Sequence, residues 1–292
     1  MARSVRWRFG YRKLPTHRFA RDVTLKRPDL SVILPCYRAA ALARKSVSKL
    51  ETALEDSGLE FEVIVVDDGG NDFGPDEWRG QPRVRLLSHH RNRGKGAAVR
   101  TGMLTATGHV RVFTDVDLPF GTDLLPVMNA YLRDGGFHVA IGDRTLPGSV
   151  YHEATSLARR AASALFTQFV GRIVTGGFFD TQCGLKGVRG DVADALFPIL
   201  RVNRFAFDVE LVYVALKHRL DIKRIPVQLL HNETSSVRLL RDAVRGGSDV
   251  LGIKANQLRG RYDSPALDAI VRRDFEAARA ASAGERVPAG GQ

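Results

Sequence analysis

The chain has 292 residues, 44% hydrophobic and 26% charged, enough for one large soluble α/β domain with appendages. Its net charge of +12 favours polyanionic partners, whether phosphorylated substrates, anionic lipid or nucleic acid. Nucleic acid is set aside for want of zinc-finger spacing, an RNA-recognition signature or a helix-turn-helix, and the two cysteines, Cys36 and Cys183, exclude a disulfide framework or a thiolate metal site.

The amino terminus, MARSVRWRFGYRKLPTHRFARD, is basic and aromatic but lacks the apolar core of a signal peptide. LSVILP (30–35) reads as a buried strand and Ala39 to Glu55 as a helix. FEVIVVDDGG (61–70) and RVRLLSH (83–89) are two more strands, followed by a helix opening at GKGAAVRTGMLTA (94–106). His109 to Thr114 is a fourth strand, Thr122 to Leu132 a helix, and FHVAIGDR (137–144) a fifth strand. Strands alternating with helices predict an α/β fold with a mostly parallel, Rossmann-like sheet covered on both faces. Ligands of such folds bind outside the carboxyl ends of the strands. Three strands end there in Asp67-Asp68, Asp115 and Asp143-Arg144.

In the second half, Ala154 to Val174 reads as a long helix and DTQCGLKGVRG (180–190) as a turn and strand. AFDVELVYVALKHR (206–219) has helical spacing, DIKRIPVQLL (221–230) is a strand, and a basic amphipathic stretch fills 235–261. The nearest approach to a membrane span, 161–179, carries Gln168, Arg172 and a Gly-Gly pair and is not read as spanning. The expected organisation is a basic extension (1–28), a catalytic domain (29–262) and a disordered Ala/Arg-rich tail (263–292).

Chemistry concentrates in VFTDVDLPFG (112–121). In an extended backbone Asp115 and Asp117 would point the same way, and two such charges repel unless a cation lies between them. A hard divalent ion that also binds a diphosphate suits the pair, and a solvated turn is the plain alternative. Lys95 stands between two glycines at a predicted helix start, where backbone N–H groups favour an anion, although the spacing is not that of a P-loop.

The order SVILPCY, VIVVDDGG, RNRGKGAAVRTG, the aspartate pair, IGDR, DTQCGLK and FAFDVEL resembles the family-two inverting glycosyltransferases. Within them it is most similar to the branch of dolichyl-phosphate β-glucosyltransferases and polyprenyl-phosphate glycosyltransferases. The resemblance implies hexose transfer from a nucleotide sugar, UDP-glucose being favoured, to a polyprenyl phosphate with Mg2+ or Mn2+. It implies that Pro35, Tyr37 and Asp68, with Val66 and Lys95 on the donor side, hold the nucleotide. Asp115, Val116 and Asp117 match the motif that binds its phosphates through the metal, with Asp117 also catalytic. Arg144 and Arg159 match arginines facing phosphate groups at the reaction centre, Lys186 a lysine of the same region, and His231 and Arg238 basic contacts of a carboxyl-side segment. The chain departs from the pattern at Arg38-Ala39, where Asn-Glu is common, at Pro119, where the mannosyl branch has Gln, and in lacking an amino-terminal membrane helix. The expectation is a cytoplasmic protein held peripherally on an anionic membrane, alone, as an oligomer or with a membrane partner. GDP-mannose as donor, a soluble sugar-phosphate or glycan acceptor, and a catalytically idle sugar-nucleotide binder are the alternatives.

Overall fold

The computed structural model describes residues 27–150, 180–181, 183–230 and 239–284. Seven strands form one sheet: β1 (Leu30–Cys36), β2 (Phe61–Asp67), β3 (Val84–Ser88), β4 (Val110–Thr114), β5 (Val139–Asp143), β6 (Leu185–Arg189) and β7 (Ile222–Pro226). β1, β2, β4 and β5 are buried along their whole length, which explains why they read as unbroken apolar runs instead of alternating ones.

The spatial order is β3-β2-β1-β4-β6-β5-β7, parallel except for β6, which runs antiparallel to β4 and to β5. Chain order reverses direction between β1 and β4, so a crevice opens at their carboxyl ends. Because β6 is reversed and pairs Leu185 with Thr114, the residues just before it, Cys183 and Gly184, lie at that same edge.

On one face, α1 (Ala40–Asp56) and α3 (Leu124–Arg133) bury Val47, Leu50, Leu125 and Met128 against Val32 and Leu34. On the other, α2 (Lys95–Thr105), α4 (Gly190–Leu196) and α5 (Phe207–Lys217) pack Met103, Leu196 and Val212 over Ile33, Ile64 and Phe113. α6 (Leu239–Leu258) adds Val250 and Ile253 to this second layer.

The tail differs from expectation. Pro265–Gly284 is a helix, α7, where disorder was expected from Ser264 onward. Ser264 Oγ accepts the Leu267 N–H, Pro265 opens the first turn, and Leu267, Ile270 and Val271 pack on the core. Asp274 of α7 contacts His138 Nε2 at 3.0 Å and Arg189 at 2.6 Å, and Asp268 contacts His218 Nδ1 at 2.7 Å. The expected helix 154–174 lies outside the described residues.

Candidate active site

Asp115 is the first residue beyond β4, and the backbone there turns instead of extending. The Leu118 N–H donates to the Asp115 carbonyl at 2.9 Å, and Ser46 Oγ of α1 donates to the Val116 carbonyl at 2.5 Å. The alternation expected of the aspartate pair is therefore absent; both residues belong to one tight turn, and both carboxylates act on the Lys95 ammonium. Leu118 takes a left-handed φ of 49° to close it, a strain of about 1–3 kcal/mol that its burial in the core offsets.

α2 supplies the facing cation. Gly94, at φ 102°, lies so close to the Asn203 carbonyl that a Cβ would stand 2.4 Å from its oxygen, so only glycine lets the helix start there. Asp68 shapes the loop before it, accepting N–H bonds from Arg93 (2.9 Å) and Gly94 (2.7 Å) and contacting His89 Nδ1 at 2.7 Å. Lys95 then reaches Asp115, with Nζ 2.5 Å from Oδ1. Burial works against the Lys95 charge, but Asp115, then Asp208 and Asp117, outweigh it and hold the ammonium above the ordinary lysine range.

Behind this pair lies a second one. Lys186 is fully buried, and its ammonium donates to Asp208 Oδ1 at 2.5 Å and to the Cys183 carbonyl at 2.6 Å. Burial pushes the Asp208 carboxyl up, while Lys186 and Lys95 act in the opposite direction. The rings of Phe113 and Phe207 stand 5.5 Å apart between the lysines, Lys186 lying 5.6 Å from Phe113 and Lys95 5.9 Å from Phe207. Gly184 touches the other side of Asp115, for a Cβ there would fall 2.1 Å from Oδ2.

At the end of β5 the Arg144 guanidinium forms a fork with Asp180, with Nη2 to Oδ1 at 2.7 Å and Nε to Oδ2 at 3.0 Å. Burial opposes the Asp180 charge, yet Arg144 holds its carboxyl below the usual range. Asp143, also buried, takes Arg224 at 2.5 Å and the Thr145 hydroxyl at 2.6 Å.

The residues expected at the site therefore fall into three groups. Asp115, Asp117 and Lys95 come together at the end of β4, with Val116 in the turn itself. Tyr37 is exposed just beyond β1, with the Arg38 guanidinium 5.2 Å from its ring centroid, and Arg144 stands fixed beyond β5. Pro35 and Val66 are buried inside β1 and β2, Asp68 is committed to its own loop, and Lys186 is enclosed by the core. Arg159, His231 and Arg238 lie outside the described residues.

The sequence alone singles out neither Asp208 nor Gly184 as a site residue. Aspartate on the second position of a largely apolar helix, and glycine directly before the strand whose first residue pairs with Thr114, next to Asp115, were the available signals.

Two carboxylates in one turn form an oxygen-donor set that suits Mg2+ or Mn2+, which take one or two carboxylates and complete their shell with water and substrate phosphate. No cluster of three or more metal-ligating side chains occurs among the described residues. The ammonium against Asp115 shows that a cation is accommodated there. A groove of about 460 Å³ lies elsewhere, between α1 and the 118–123 loop. Convergent charge, not volume, selects the strand-end crevice.

The mostly parallel seven-stranded sheet with an acidic turn at its strand ends has a glycosyltransferase fold of the GT-A kind. Glucosyl-3-phosphoglycerate synthase from Mycobacterium tuberculosis, solved with Mn2+, UDP-glucose and phosphoglyceric acid, superposes with a TM-score of 0.57. The likeness spans 77% of this chain and 79% of that one at 15% identity, and so concerns the fold. The family model Glycosyl transferase family 2 matches residues 31–197, and the chain belongs to that family. The dolichyl-phosphate beta-glucosyltransferase of Drosophila melanogaster is 32% identical over 253 residues, 80% of this chain and 77% of the relative. That of Homo sapiens is 30% identical over 255 residues, with the same two coverages.

Proposed function

We propose that the protein transfers a hexose, with UDP-glucose the favoured donor, to a polyprenyl or dolichyl phosphate with inversion at the anomeric carbon. The observation that carries this reading is the acidic turn at Asp115 and Asp117 with Lys95 against it, at the switch point of the sheet. The relatives named for glucosyl transfer to dolichyl phosphate, similar over four-fifths of the chain, supply the donor and acceptor classes.

Asp115 and Asp117 would hold Mg2+ or Mn2+, which when bound stabilises the charge on the departing diphosphate. Lys95, at the amino end of α2, adds a point charge and helix N–H groups on the diphosphate side. Tyr37 offers an exposed ring at the end of β1 for the base. The acceptor phosphate, with a second pKa near about 6, is ionised at neutral pH and attacks the anomeric carbon without a strong base. The new bond joins that carbon to a phosphate oxygen as the bond to the nucleoside diphosphate breaks on the opposite face. Arg144, held flat by Asp180, and Arg159 draw the two phosphorylated substrates together against their repulsion.

No helix among the described residues is long and apolar enough to cross a membrane. Peripheral attachment is supported by the exposed Leu251 and Leu258 of α6, the latter 86% exposed, and by Phe205 between exposed arginines 201, 204, 259 and 261. Flotation with anionic vesicles should show binding that falls steeply with salt, and failure to bind at low salt contradicts it. Phe166, Phe169, Phe178 and Phe179, expected to insert, lie outside the described residues.

The deciding experiment is a panel of nucleotide sugars offered with a short polyprenyl phosphate, or with phosphoglycerate, in Mg2+ or Mn2+. UDP-glucose with the lipid phosphate should give a β-linked product. Transfer only to the soluble acceptor, only from GDP-mannose, or from no donor overturns the assignment in the corresponding part.

A further inference from the structure

We infer that Lys95 is the resident counter-cation of the metal-site carboxylates, neutralising Asp115 in the metal-free protein and turning from it when a divalent ion arrives. The inference rests on the reading of Asp115 and Asp117 as metal ligands given above. Four observations carry it.

The Lys95 ammonium stands 2.5 Å from Asp115 Oδ1, within the space that a metal bound to that oxygen would need. Only 16% of the Lys95 side chain is exposed, whereas Asp115 is 37% exposed, so the lysine is the inner partner and the carboxylate faces the crevice. Lys95 has another neighbour of opposite charge, because Asp208 also acts on it, after Asp115, and the Phe207 ring centroid lies 5.9 Å from its ammonium. An ammonium that leaves Asp115 therefore keeps a buried counter-charge. Finally, Gly184 closes the far side of Asp115, so the carboxylate cannot retreat from an approaching ion and the lysine is the group that yields.

Charge makes the exchange specific. Asp115, Asp117 and Asp208 set three carboxylates against the ammoniums of Lys95 and Lys186, leaving one net negative charge. A lone divalent ion reverses that sign and is opposed by Lys95, whereas a divalent ion entering with a nucleoside diphosphate is not. Lys95, once displaced, is the nearest positive group for the incoming diphosphate. Metal and nucleotide should therefore bind as a cooperative pair, with Lys95 as the coupling element.

The test measures Mn2+ binding by the loss of the free-ion electron paramagnetic resonance signal, with and without UDP, in the full chain. Lys95→Met should bind Mn2+ alone about tenfold more tightly than wild type, because a competing cation is gone. The cooperativity between Mn2+ and UDP should fall in the same variant, and Lys95→Arg should stay near wild type in the metal-only titration. Unchanged or weaker Mn2+ binding by a folded Lys95→Met overturns the inference. Should that variant fail to fold, acetylation of wild-type lysines read by mass spectrometry replaces it. Lys95 should become more reactive when Mn2+ is added and less so when UDP follows, and constant reactivity overturns the inference equally. An Asp117→Asn control separates the layers: if wild type binds Mn2+ and this variant does not, the metal reading stands whatever Lys95 does. If wild type binds no Mn2+ even with UDP, the metal reading and the lysine inference fall together.

Discussion

Replacing Gly184 by alanine would put a methyl carbon 2.1 Å from Oδ2 and 2.8 Å from Cγ of Asp115. Carbon and oxygen cannot approach that closely, and relief requires the carboxylate to move by roughly 1 Å or more. Asp115 is the group that gives, because Gly184 sits at the fixed start of β6 whereas the Asp115 side chain is partly exposed. Moving it disturbs the 2.5 Å contact with Lys95 and any ligand held by Oδ2. A misplacement of about 1 Å at a reacting centre lowers the rate by about 10²-fold, equivalent to about 2.7 kcal/mol in the barrier. Stability should change little, by under about 1 kcal/mol, since no buried group is removed and the displaced carboxylate can meet solvent. The assay is steady-state turnover of UDP-glucose with a short polyprenyl phosphate, accompanied by Mn2+ titration and a thermal melt. A folded Gly184→Ala protein with wild-type turnover and wild-type metal affinity would show that Asp115 does not serve the reaction.

Asp117→Asn should lower turnover on the order of 10³-fold while the melting temperature stays near that of wild type, because the residue lies in the surface turn and outside the core. Wild-type rates under limiting metal would contradict its role. Lys186→Met removes one partner of a buried ion pair and strands Asp208, so urea unfolding should report a loss of about 3–5 kcal/mol. Adding Asp208→Leu should recover most of that loss, and a single variant as stable as wild type would refute the pairing. Burial opposes the charge of Asp274, but Arg273 and Arg189 outweigh it and bring its carboxyl down to about 2 from 3.8. The fold thus favours the charged form, so this contribution of roughly 2 kcal/mol is complete above the unfolded value and is lost as pH falls through about 2. Asp274→Asn should be less stable than wild type at pH 7 and converge with it near pH 2. Parallel stability curves across that range would refute the assignment.

Strands and helices of the first half were legible because a parallel sheet imposes long apolar runs, and acids at the strand ends stand out against them. Asp115 and the edge position of Arg144 could be read for that reason, Asp117 from its spacing to Asp115, Lys95 from the glycines that flank it, and Tyr37 only through the resemblance. The turn that joins the aspartates could not, since it depends on Ser46 reaching across from α1 and on Leu118 accepting a left-handed backbone. The burial of Lys186 could not be read either, because nothing local announces it; its partner Asp208 lies 22 residues away and meets it only through the fold. α7 was missed for a different reason. Its Ala/Arg-rich composition suggested disorder, while Ser264-Pro265 and the spacing of Leu267, Ile270 and Val271 carried an ordinary helix start and an apolar face.

The family match ends at Phe197, but the molecule does not divide there. β7, which supplies the outer neighbour of β5 through pairings from Val139–Ile222 to Asp143–Pro226, comes later in the chain. So does Asp208, without which Lys186 would carry an unmatched charge in the interior, and so does Asp274, which fastens His138 and Arg189 from α7. A recombination event that transplanted only the recognisable segment would deliver an open sheet edge and a stranded cation. The unit that inheritance can move intact is therefore longer than the segment that defines the family, and the residues past Phe197 must travel with it.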